Sequence, residues 1–381
     1  MLIHQRAKSR AFTGRGVVAV AAVMLLATAC SSGSKSNSAG TPAPSGPPST
    51  AGAAAPASQS AAAPSGDIAS SIKGKRFTLM IQSSPNTNKV VETHAVGILK
   101  AEGVNASVKW NASSTNIAVT QLLSGDIDAW AAGPSGGVGA AAAGVAIKDF
   151  ALLQPRQDYV MLAKKGINTI QDLKGKKIGV QDTTGNNYVQ ALLVLQQANL
   201  TVKDVTIVQS GAQSVRLAAL VAGRVDSTML SHSAQIKLGP QGYVTVFDFT
   251  KQASNLYDDN AFATTAWLAK NGDVATAFNE AILQSFQWFD DPANADAVVK
   301  EALAVQPGSD EASTAQLFDV LRKADLYPVG TVLDESALKS QEDLFVSTGA
   351  LKNGIPTSQW VDTSFAQKAK AAMPPSSAAS S

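Results

Sequence analysis

The sequence predicts an α/β protein built from two lobes of like architecture, and two observations lead to this fold class. From residue 76 onwards, predicted strands alternate with predicted helices, an order that is typical of parallel βαβ units. In addition, "LLSGDIDAW" at 122–130 is nearly repeated as "LVAGRVDST" at 220–228. Each copy has a glycine that can close a helix, then an aspartate that leads into an apolar strand. Two copies predict two lobes, although chance similarity of two βα units would give the same pattern.

The first 29 residues have the pattern of a secretion signal. Basic residues are followed by an apolar run at 17–29, which is too short to span a bilayer. The run ends at Cys30, the only cysteine of the chain, in a segment that resembles a bacterial lipobox with Ala27 where leucine is usual. We therefore expect Cys30 to carry a lipid and to become the N-terminus of the mature protein. The alternative is an ordinary signal peptide with an incidental cysteine.

Low-complexity segments flank the predicted domain. Residues 31–66 are Ala, Ser, Gly or Pro at 31 of 36 positions, so we expect residues 30–66 to form a flexible tether, with a composition that suggests an actinobacterial source. We expect the tail at 371–381 to be disordered. Without the four basic residues of the signal, the chain has 27 Lys and Arg against 29 Asp and Glu. This slightly acidic balance gives no footprint for nucleic acid.

The secondary-structure elements follow in order between these ends. The first series has strands at 76–81, 105–112, 127–133 and 149–155, with helices at 88–103, 115–125 and 136–144. The second series has strands at 176–180, 205–209, 225–230 and 244–249, with helices at 186–198 and 212–222. After residue 270 the pattern is helical, at 272–289, 292–304, 310–323, 334–348 and 358–370. This order fits two small α/β lobes with an added helical segment.

Three segments carry a resemblance to a known family. They are "LLSGDIDAW", "IQDLKGKKIGVQDTTG" at 170–185 and "ALVAGRVDS" at 219–227. In this order and spacing they resemble signature segments of the solute-binding proteins of ABC importers, closest to the nitrate/sulfonate/taurine and thiamine-precursor-like group. The similarity covers about 72–370. The polar stretch "QSSPNTNKVV" departs from the proline-leucine-alanine run that often opens the first helix of the family, so the first wall of the pocket is expected to differ.

The resemblance implies a type II periplasmic-binding-protein fold, in which two α/β lobes are joined by two crossings with a ligand cleft between them. It places the crossings at 157–166 and 258–271. Lobe I then comprises 72–157 and 264–370, and lobe II comprises 158–263. Such lobes close on a ligand like a hinge.

The function implied by the resemblance is that of an extracytoplasmic lipoprotein that serves an ABC importer. A monomer would capture a small organic or inorganic anion, or a pyrimidine-like solute, and deliver it to a permease with its cytoplasmic ATPase. No cofactor and no metal are expected. An enzyme of the same fold, of the desulfinase or pyrimidine-precursor synthase type, is one alternative, and a solute-binding sensor subunit is another. Against an enzyme, the sequence has three histidines, no cysteine besides Cys30, and no GxSxG, Walker A or GxGxxG motif.

Candidate ligand-binding residues follow from a rule for open α/β sheets, whose ligands bind beyond the carboxyl ends of the strands. The loops at these ends carry small hydrogen-bonding side chains, and most precede a helix, whose free N–H groups suit a small anion. The candidates of lobe I are Gln82, Ser83, Ser84, Asn86, Ser114, Thr115, Gly133, Pro134, Ser135 and Arg156. Those of lobe II are Asp182, Thr183, Thr184, Gly185, Asn186, Ser210, Gln213 and His232.

Each candidate also has an ordinary structural interpretation. Ser, Thr and Asn before helices are common N-caps. Asp182 fits a turn or cap, and Arg156 could pair with Asp158 near the hinge. His232 could be a partly buried polar residue. Trp130 could belong to the core or stack on a flat ligand.

Overall fold

The computed structural model describes residues 66–373, apart from 112–113, 184 and 254–255. The predicted signal, Cys30, nearly all of the predicted tether and residues 374–381 lie outside the described residues, as does Thr184. Within the described ranges, no helix combines the length and the apolar character needed to cross a membrane.

In this part of the chain, ten strands form two five-stranded sheets, one in each lobe. The strands of the chain up to the first crossing are β1 (Arg76–Ile81), β2 (Asn105–Trp110), β3 (Ala129–Ala132) and β4 (Ile147–Gln154). Those that follow are β5 (Val160–Ala163), β6 (Lys177–Val180), β7 (Thr206–Gln209), β8 (Ser227–Leu230), β9 (Val244–Asp248) and β10 (Asp259–Thr264).

Helices flank both sheets and make up most of the C-terminal third. The first are α1 (Gly66–Ile72), α2 (Val90–Ala101), α3 (Thr115–Ser124), α4 (Pro134–Ala142), α5 (Asn186–Gln197), α6 (Gln213–Val221), α7 (His232–Leu238) and α8 (Phe249–Gln252). The later ones are α9 (Thr265–Lys270), α10 (Gly272–Asp290), α11 (Ala295–Val305), α12 (Glu311–Lys323), α13 (Glu335–Ser347), α14 (Thr357–Trp360) and α15 (Ser364–Ala372). The predicted strands are therefore present, as are the predicted helices up to residue 348, with bounds that differ by a few residues. The single helix predicted at 358–370 is divided into α14 and α15, because Val361 forms a β-bridge with Asp149 between them.

The two sheets have the same strand order. The first runs β2-β1-β3-β10-β4 and the second runs β7-β6-β8-β5-β9. In each sheet the fourth strand is antiparallel to both neighbours. This strand is the one that enters directly after the chain has crossed from the other sheet. Two mixed α/β sheets of this kind confirm the predicted fold class.

The crossings are shorter than predicted, because each crossing segment continues at once into an apolar strand. The chain leaves the first sheet after Gln154 and enters the second at Val160, so β5 lies inside the segment predicted to cross at 157–166. On the return, β10 begins at Asp259 and pairs with β3 and β4. The second sheet and its helices therefore end before Asp259, whereas the sequence placed this boundary at 263.

The repeated segments occupy equivalent places in the two lobes. Asp128 directly precedes β3, and its Oδ2 atom accepts a hydrogen bond from the backbone N–H of Thr78 at 2.8 Å. Asp226 directly precedes β8, and its Oδ2 atom accepts from the backbone N–H of Lys177 at 2.8 Å. In both lobes this carboxylate ties the start of one strand to its parallel neighbour.

The glycine of each repeat has the backbone conformation predicted for it. Gly125 follows α3 with a φ of 76°, and Gly223 follows α6 with a φ of 68°. Residues other than glycine adopt this left-handed region only at a cost, and a helix closed in this way can turn at once into a strand. The near-identity of the two segments therefore reflects a shared helix-to-strand turn.

The lobes are in contact across the cleft between them. Val189 of α5, which belongs to the second lobe, packs in one apolar cluster with Met80 and Trp130 of the first. A separate cluster in the first lobe joins α2, α10 and β1, with Phe77 and Phe278 4.9 Å apart between ring centres. The C-terminal helices thus complete the first lobe.

Candidate functional site

A cavity of about 70 Å³ lies between the lobes, at the carboxyl ends of strands from both sheets. One bound water needs roughly 10–15 Å³ on a comparable measure, so the cavity fits a group of only a few non-hydrogen atoms. Its lining consists of Ile81, Gln82, Ser83, Lys89, Thr115, Ala132, Gly133, Gly136, Tyr159, Gln181, Gly185, Asn186, Asn187, Asp258 and Asp259.

A chain of hydrogen bonds fixes the wall that the first lobe contributes. The indole N–H of Trp130 donates to Oε1 of Gln82 at 3.0 Å, and Nε2 of Gln82 donates to the hydroxyl of Thr115 at 3.3 Å. The Trp130 side chain is fully buried and its ring centre lies 5.5 Å from that of Phe262. Trp130 therefore belongs to the core, and it acts on the cavity by orienting Gln82.

The lobes approach each other closely at Gly133. A Cβ atom at this position would lie 2.7 Å from Cβ of Asn186 and 3.3 Å from the carbonyl oxygen of Asp258. Asn186 also donates from Nδ2 to Oδ1 of Asp258 at 3.0 Å. A side chain at Gly133 would thus force the lobes apart, and a glycine is what the approach requires.

Lys89 is buried at the cavity wall within a group of acidic side chains. Its ammonium group donates to Oε1 of Glu92 at 3.0 Å, to Oε1 of Gln154 at 3.4 Å, and to the carboxylate of Asp259. Burial by itself lowers the pKa of Lys89, but the charges of Asp259, Glu92 and Asp258 outweigh it and hold the pKa well above its ordinary value. Lys89 therefore stays charged.

Asp258 is the buried acid of the second crossing. Its Oδ2 atom accepts from Nε2 of Gln154 at 2.6 Å, and its Oδ1 atom accepts from Asn186. Burial first, and then the neighbouring charge of Asp259, raise the pKa of Asp258 well above its ordinary value, although Lys89 opposes this shift. A further positive group beside Asp258 would oppose this shift.

A second buried ionic group connects the crossing to both lobes. Asp158 accepts a hydrogen bond from the side-chain amide of Asn88 in the first lobe, and its Oδ1 atom lies 2.5 Å from Nδ1 of His232 in the second. The other ring nitrogen of His232 lies 3.5 Å from Asp248. Burial lowers the pKa of His232, but the hydrogen bonds to Asp158 and Asp248 outweigh it and raise the pKa to about 9.

Part of the predicted set lines the cavity. These residues are Gln82, Ser83, Thr115, Gly133, Gly185 and Asn186. The other predicted residues that the structure describes are absent from its lining, namely Ser84, Asn86, Ser114, Pro134, Ser135, Arg156, Asp182, Thr183, Ser210, Gln213 and His232. Which of them contact a solute stays a prediction.

Several of these other residues have structural partners. Asp182 accepts from the backbone N–H of Gly185 at 2.6 Å, as the turn interpretation predicts. Asn86 accepts from the N–H two residues ahead and so caps a short 3₁₀ turn. Arg156 pairs with Asp325 at 3.0 Å and not with Asp158, because its guanidinium group turns toward the C-terminal helices.

Gln213 is bonded to Ser231 within the second lobe. Its side-chain amide donates to the Ser231 hydroxyl at 3.0 Å and accepts from the Ser231 N–H at 3.3 Å. The hydroxyl of Ser210 lies 3.3 Å from the carbonyl oxygen of Val208. These side chains therefore join loops of the second lobe at the end of β8 and around β7.

Sequence reasoning missed the charged part of the lining, and the sheet topology explains why. The rule applied to the sequence considers only residues that follow strands. Because β5 and β10 are antiparallel to their neighbours, their amino ends lie at the same sheet edges as the carboxyl ends of the others. Tyr159, Asp258 and Asp259 lie at these amino ends. In the sequence, the pair Asp258 and Asp259 directly before the apolar run of β10 was the signal that could have indicated the acidic part of the lining.

The arrangement of polar groups suits binding. Amide, hydroxyl, carboxyl and ammonium groups line the cavity, and its lining includes neither cysteine nor histidine among the described residues. Across the same described residues, no group of three or more His, Cys, Asp or Glu side chains is arranged to hold a metal ion. The cavity can therefore bind and orient a small polar group.

Comparisons with solved structures show the same fold. The alkanesulfonate-binding protein SsuA from Xanthomonas axonopodis pv. citri, bound to MOPS, is 17% identical with a TM-score of 0.64, over 77% of this chain and 99% of that one. The periplasmic aliphatic sulphonate binding protein SsuA from Escherichia coli is 19% identical with a TM-score of 0.57, over 75% and 92%. The desulfurization enzyme DSZB is 18% identical with a TM-score of 0.55, over 77% and 99%. At these identities the likeness concerns the fold alone.

The sequence itself also matches a protein family. A search of curated proteins gave no match. The family model described as NMT1/THI5 like matches residues 84–295, which is more than half of the chain and includes both crossings and most of the residues that line the cavity. The chain therefore belongs to the NMT1/THI5-like family.

Proposed function

We propose that this protein is the solute-binding component of an ABC importer. The observation that carries this proposal is the cavity between two lobes, to which each sheet contributes residues from the edge where its parallel strands end. Two lobes joined by two short crossings can open to admit a solute and close on it. The SsuA neighbours, whose fold the chain shares, are named as sulfonate-binding proteins.

The SsuA neighbours support sulfonates as first candidates, and the resemblance seen in the sequence adds nitrate and pyrimidine-like solutes. The partner would be a membrane permease with its ATPase, to which a monomer delivers the solute. The protein would act outside the cytoplasmic membrane, attached through a lipid on Cys30 and the segment at 30–66 as a tether, in an actinobacterial host. A lipid anchor with two acyl chains gives lasting attachment where one chain is marginal.

An enzyme on the same fold is the alternative that the DSZB likeness raises. The lining of the cavity speaks for binding instead. Its amide, hydroxyl and carboxyl groups can hold a solute, and the only cysteine of the sequence is Cys30, the predicted lipidation site. A sensor subunit would use the same cavity, and it differs in its partner, which the neighbouring genes would reveal.

A solute screen tests the proposal. The purified chain is heated with sulfonates, nitrate, pyrimidines, carboxylates and amines, and the midpoint of unfolding is recorded. A solute at a hundred times its dissociation constant adds about 2.7 kcal/mol to the free energy of unfolding. Uptake of that solute should then be lost from cells that lack the protein. Chemical conversion of the solute by the purified chain would contradict the proposal.

The anchor has a separate test. Exported Cys30→Ala should be released from membranes and recovered in the soluble fraction, because the lipid attachment is lost. The wild-type chain, expressed in the same host, is the control. Complete retention of Cys30→Ala on membranes would contradict the lipoprotein assignment and leave the solute-binding proposal in place.

A further inference from the structure

Acidic groups outnumber basic groups at the cavity. Lys89 is the one cation among the described lining residues, whereas Asp258 and Asp259 are both in the lining. Glu92 lies directly against Lys89, with its Oε1 atom 3.0 Å from the lysine Nζ atom. Three carboxyl groups therefore lie around a single ammonium group, and the cavity wall has an excess of acidic groups.

Lys89 has no donor left for a solute. An ammonium group has three N–H donors, and Nζ already reaches three oxygen atoms, on Glu92, Gln154 and Asp259. An anion at this lysine would have to displace one of these partners. It would then lie beside the carboxylates of Glu92 and Asp259, where like charges repel.

Two other cations near the crossings, His232 and Arg156, are engaged by other carboxylates. His232 lies between Asp158 and Asp248. Arg156 points toward the C-terminal helices, where it pairs with Asp325. Neither side chain is in the lining, so neither offers a charge to an anion in the cavity.

Asp258 has the free capacity that Lys89 lacks. A carboxylate has about four positions at which it can accept a hydrogen bond, and the described partners of Asp258 are two side-chain amides, of Gln154 and Asn186. No lysine, arginine or histidine in the described part of the chain forms an ion pair with it. The raised pKa of Asp258 has the same origin, since a buried carboxyl beside Asp259 has too little positive charge near it.

Building on the proposed function, we propose that the solute is a cation whose N–H groups donate to Asp258, and that the cleft discriminates against anions. The head group is a protonated amine, an amidinium or a guanidinium, because these are small and rich in donors. A planar head group of about four non-hydrogen atoms suits a cavity of about 70 Å³. This conclusion departs from the anion that the helix N-termini suggested, because three carboxyl groups lie around the single ammonium group at the cavity wall.

Matched probes of equal size and opposite charge test this proposal. Guanidinium, urea and nitrate are planar and have four non-hydrogen atoms each, as do acetamidinium, acetamide and acetate. Each is added at about 10 mM to the full-length protein at constant ionic strength, and the melting temperature is measured. We expect the two cations to raise the melting temperature and the two anions to leave it unchanged. A larger rise with nitrate or acetate, or no rise with either cation, overturns the proposal.

A charge-removing variant locates the effect. Asp258→Asn should reduce the affinity for acetamidinium by at least about tenfold in a calorimetric titration. Asp273→Asn is the control, because it makes the same change on α10, where Asp273 forms an ion pair with Lys75. This variant should bind acetamidinium like the wild type. Equal affinity of Asp258→Asn and wild type overturns the proposal. Loss of folding in Asp258→Asn would show in its melting curve, and the probe series on the wild-type protein then decides.

The solute carried by the protein from its host distinguishes this inference from the proposed function. Native mass spectrometry of the purified chain, followed by release and identification, gives the charge of that solute. A bound anion or neutral solute leaves the importer role intact and overturns the cation assignment. If the broad solute screen finds no ligand of any charge, the proposed function itself falls.

Discussion

The two lobes share a scaffold and differ in their chemistry. Their sheets have the same strand order, and the same glycine and aspartate shape the turn before a central strand of each. At the cavity, however, the first lobe and the crossings contribute Lys89, Asp258 and Asp259, whereas the second lobe contributes backbone and amide groups such as those of Asn186 and Asn187.

This difference teaches where specificity resides in such a fold. The aspartates of the repeated segments directly precede β3 and β8, at the ends of these strands that are remote from the cavity, and they hold the sheets together. The charged residues lie in the segment that opens α2 and in the crossing that leads into β10. Repeated strands therefore position the cleft, while loops and crossings that differ between the lobes determine what it binds.

Removal of the Lys89 charge should have the largest effect on stability. In Lys89→Met, Glu92 would stay fully buried without its partner, and breaking a buried pair in this way costs about 3–5 kcal/mol. Urea denaturation would measure the loss in the free energy of unfolding.

The control for Lys89→Met is a partly exposed pair in the same lobe. In Lys75→Met the contact between Lys75 and Asp273 is lost, and such pairs contribute about 0–1 kcal/mol. Equal losses in the two variants would show that the cleft charges are no more important to folding than a surface pair.

The second lobe has its own buried charge, His232, and it predicts a dependence on pH. The pKa of His232 in the folded state is about 9, above the value of about 6.5 for an unfolded chain. Its contribution is therefore complete below about pH 6.5 and is lost as the pH rises through 9. The difference in pKa corresponds to roughly 3 kcal/mol.

Denaturation midpoints between pH 6 and 10 would measure this effect. The wild-type protein should lose stability toward high pH more steeply than His232→Gln, in which Asp158 and Asp248 have no ionisable partner at this position. Parallel pH profiles of the two proteins would contradict the assignment of a charged histidine between these carboxylates.

Substitutions at the repeated aspartates should reduce the free energy of unfolding by less than Lys89→Met does, and by similar amounts in the two lobes. Asp128→Ala and Asp226→Ala each remove a charged acceptor from one backbone N–H, for which the expected loss is about 1–3 kcal/mol. The loss should be somewhat smaller for Asp226, whose side chain is 14% exposed against 7% for Asp128. A difference of several kcal/mol between the variants would mean that the repeat is not a structural equivalence.

Local sequence patterns predicted the elements well, because each depends on neighbouring residues. Gly125 and Gly223 marked helix ends, and apolar runs marked buried strands. The direction of β5 and β10 was not predictable in this way. An apolar run indicates burial but contains no information on whether its neighbours are parallel to it.

Local sequence patterns could not predict the charged residues of the site for a related reason. Lys89 stands in a polar stretch and would be expected on the surface, yet it is buried by partners as distant as Asp259, 170 residues along the chain. Gly133 and Asn186 were predicted, because both follow the carboxyl end of a strand. The cleft residues that the sequence indicates are thus those set by local rules, and the charges come from contacts between distant segments.

The binding of solute between the lobes at Gly133 is the central claim, and one titration tests it most directly. The solute that most stabilises the wild-type protein is titrated into the variant Gly133→Val. Gly133 has a backbone φ of −61° and ψ of 145°, which any residue can adopt, so the substitution causes no backbone strain. We predict at least about a hundredfold loss of affinity with a native circular-dichroism spectrum, because the added atoms collide with Asn186. Gly139→Ala in α4, the helix that Gly133 precedes, should bind normally, because a Cβ atom there meets nothing within 4 Å. Wild-type affinity in a folded Gly133→Val would contradict the account and place the binding site elsewhere.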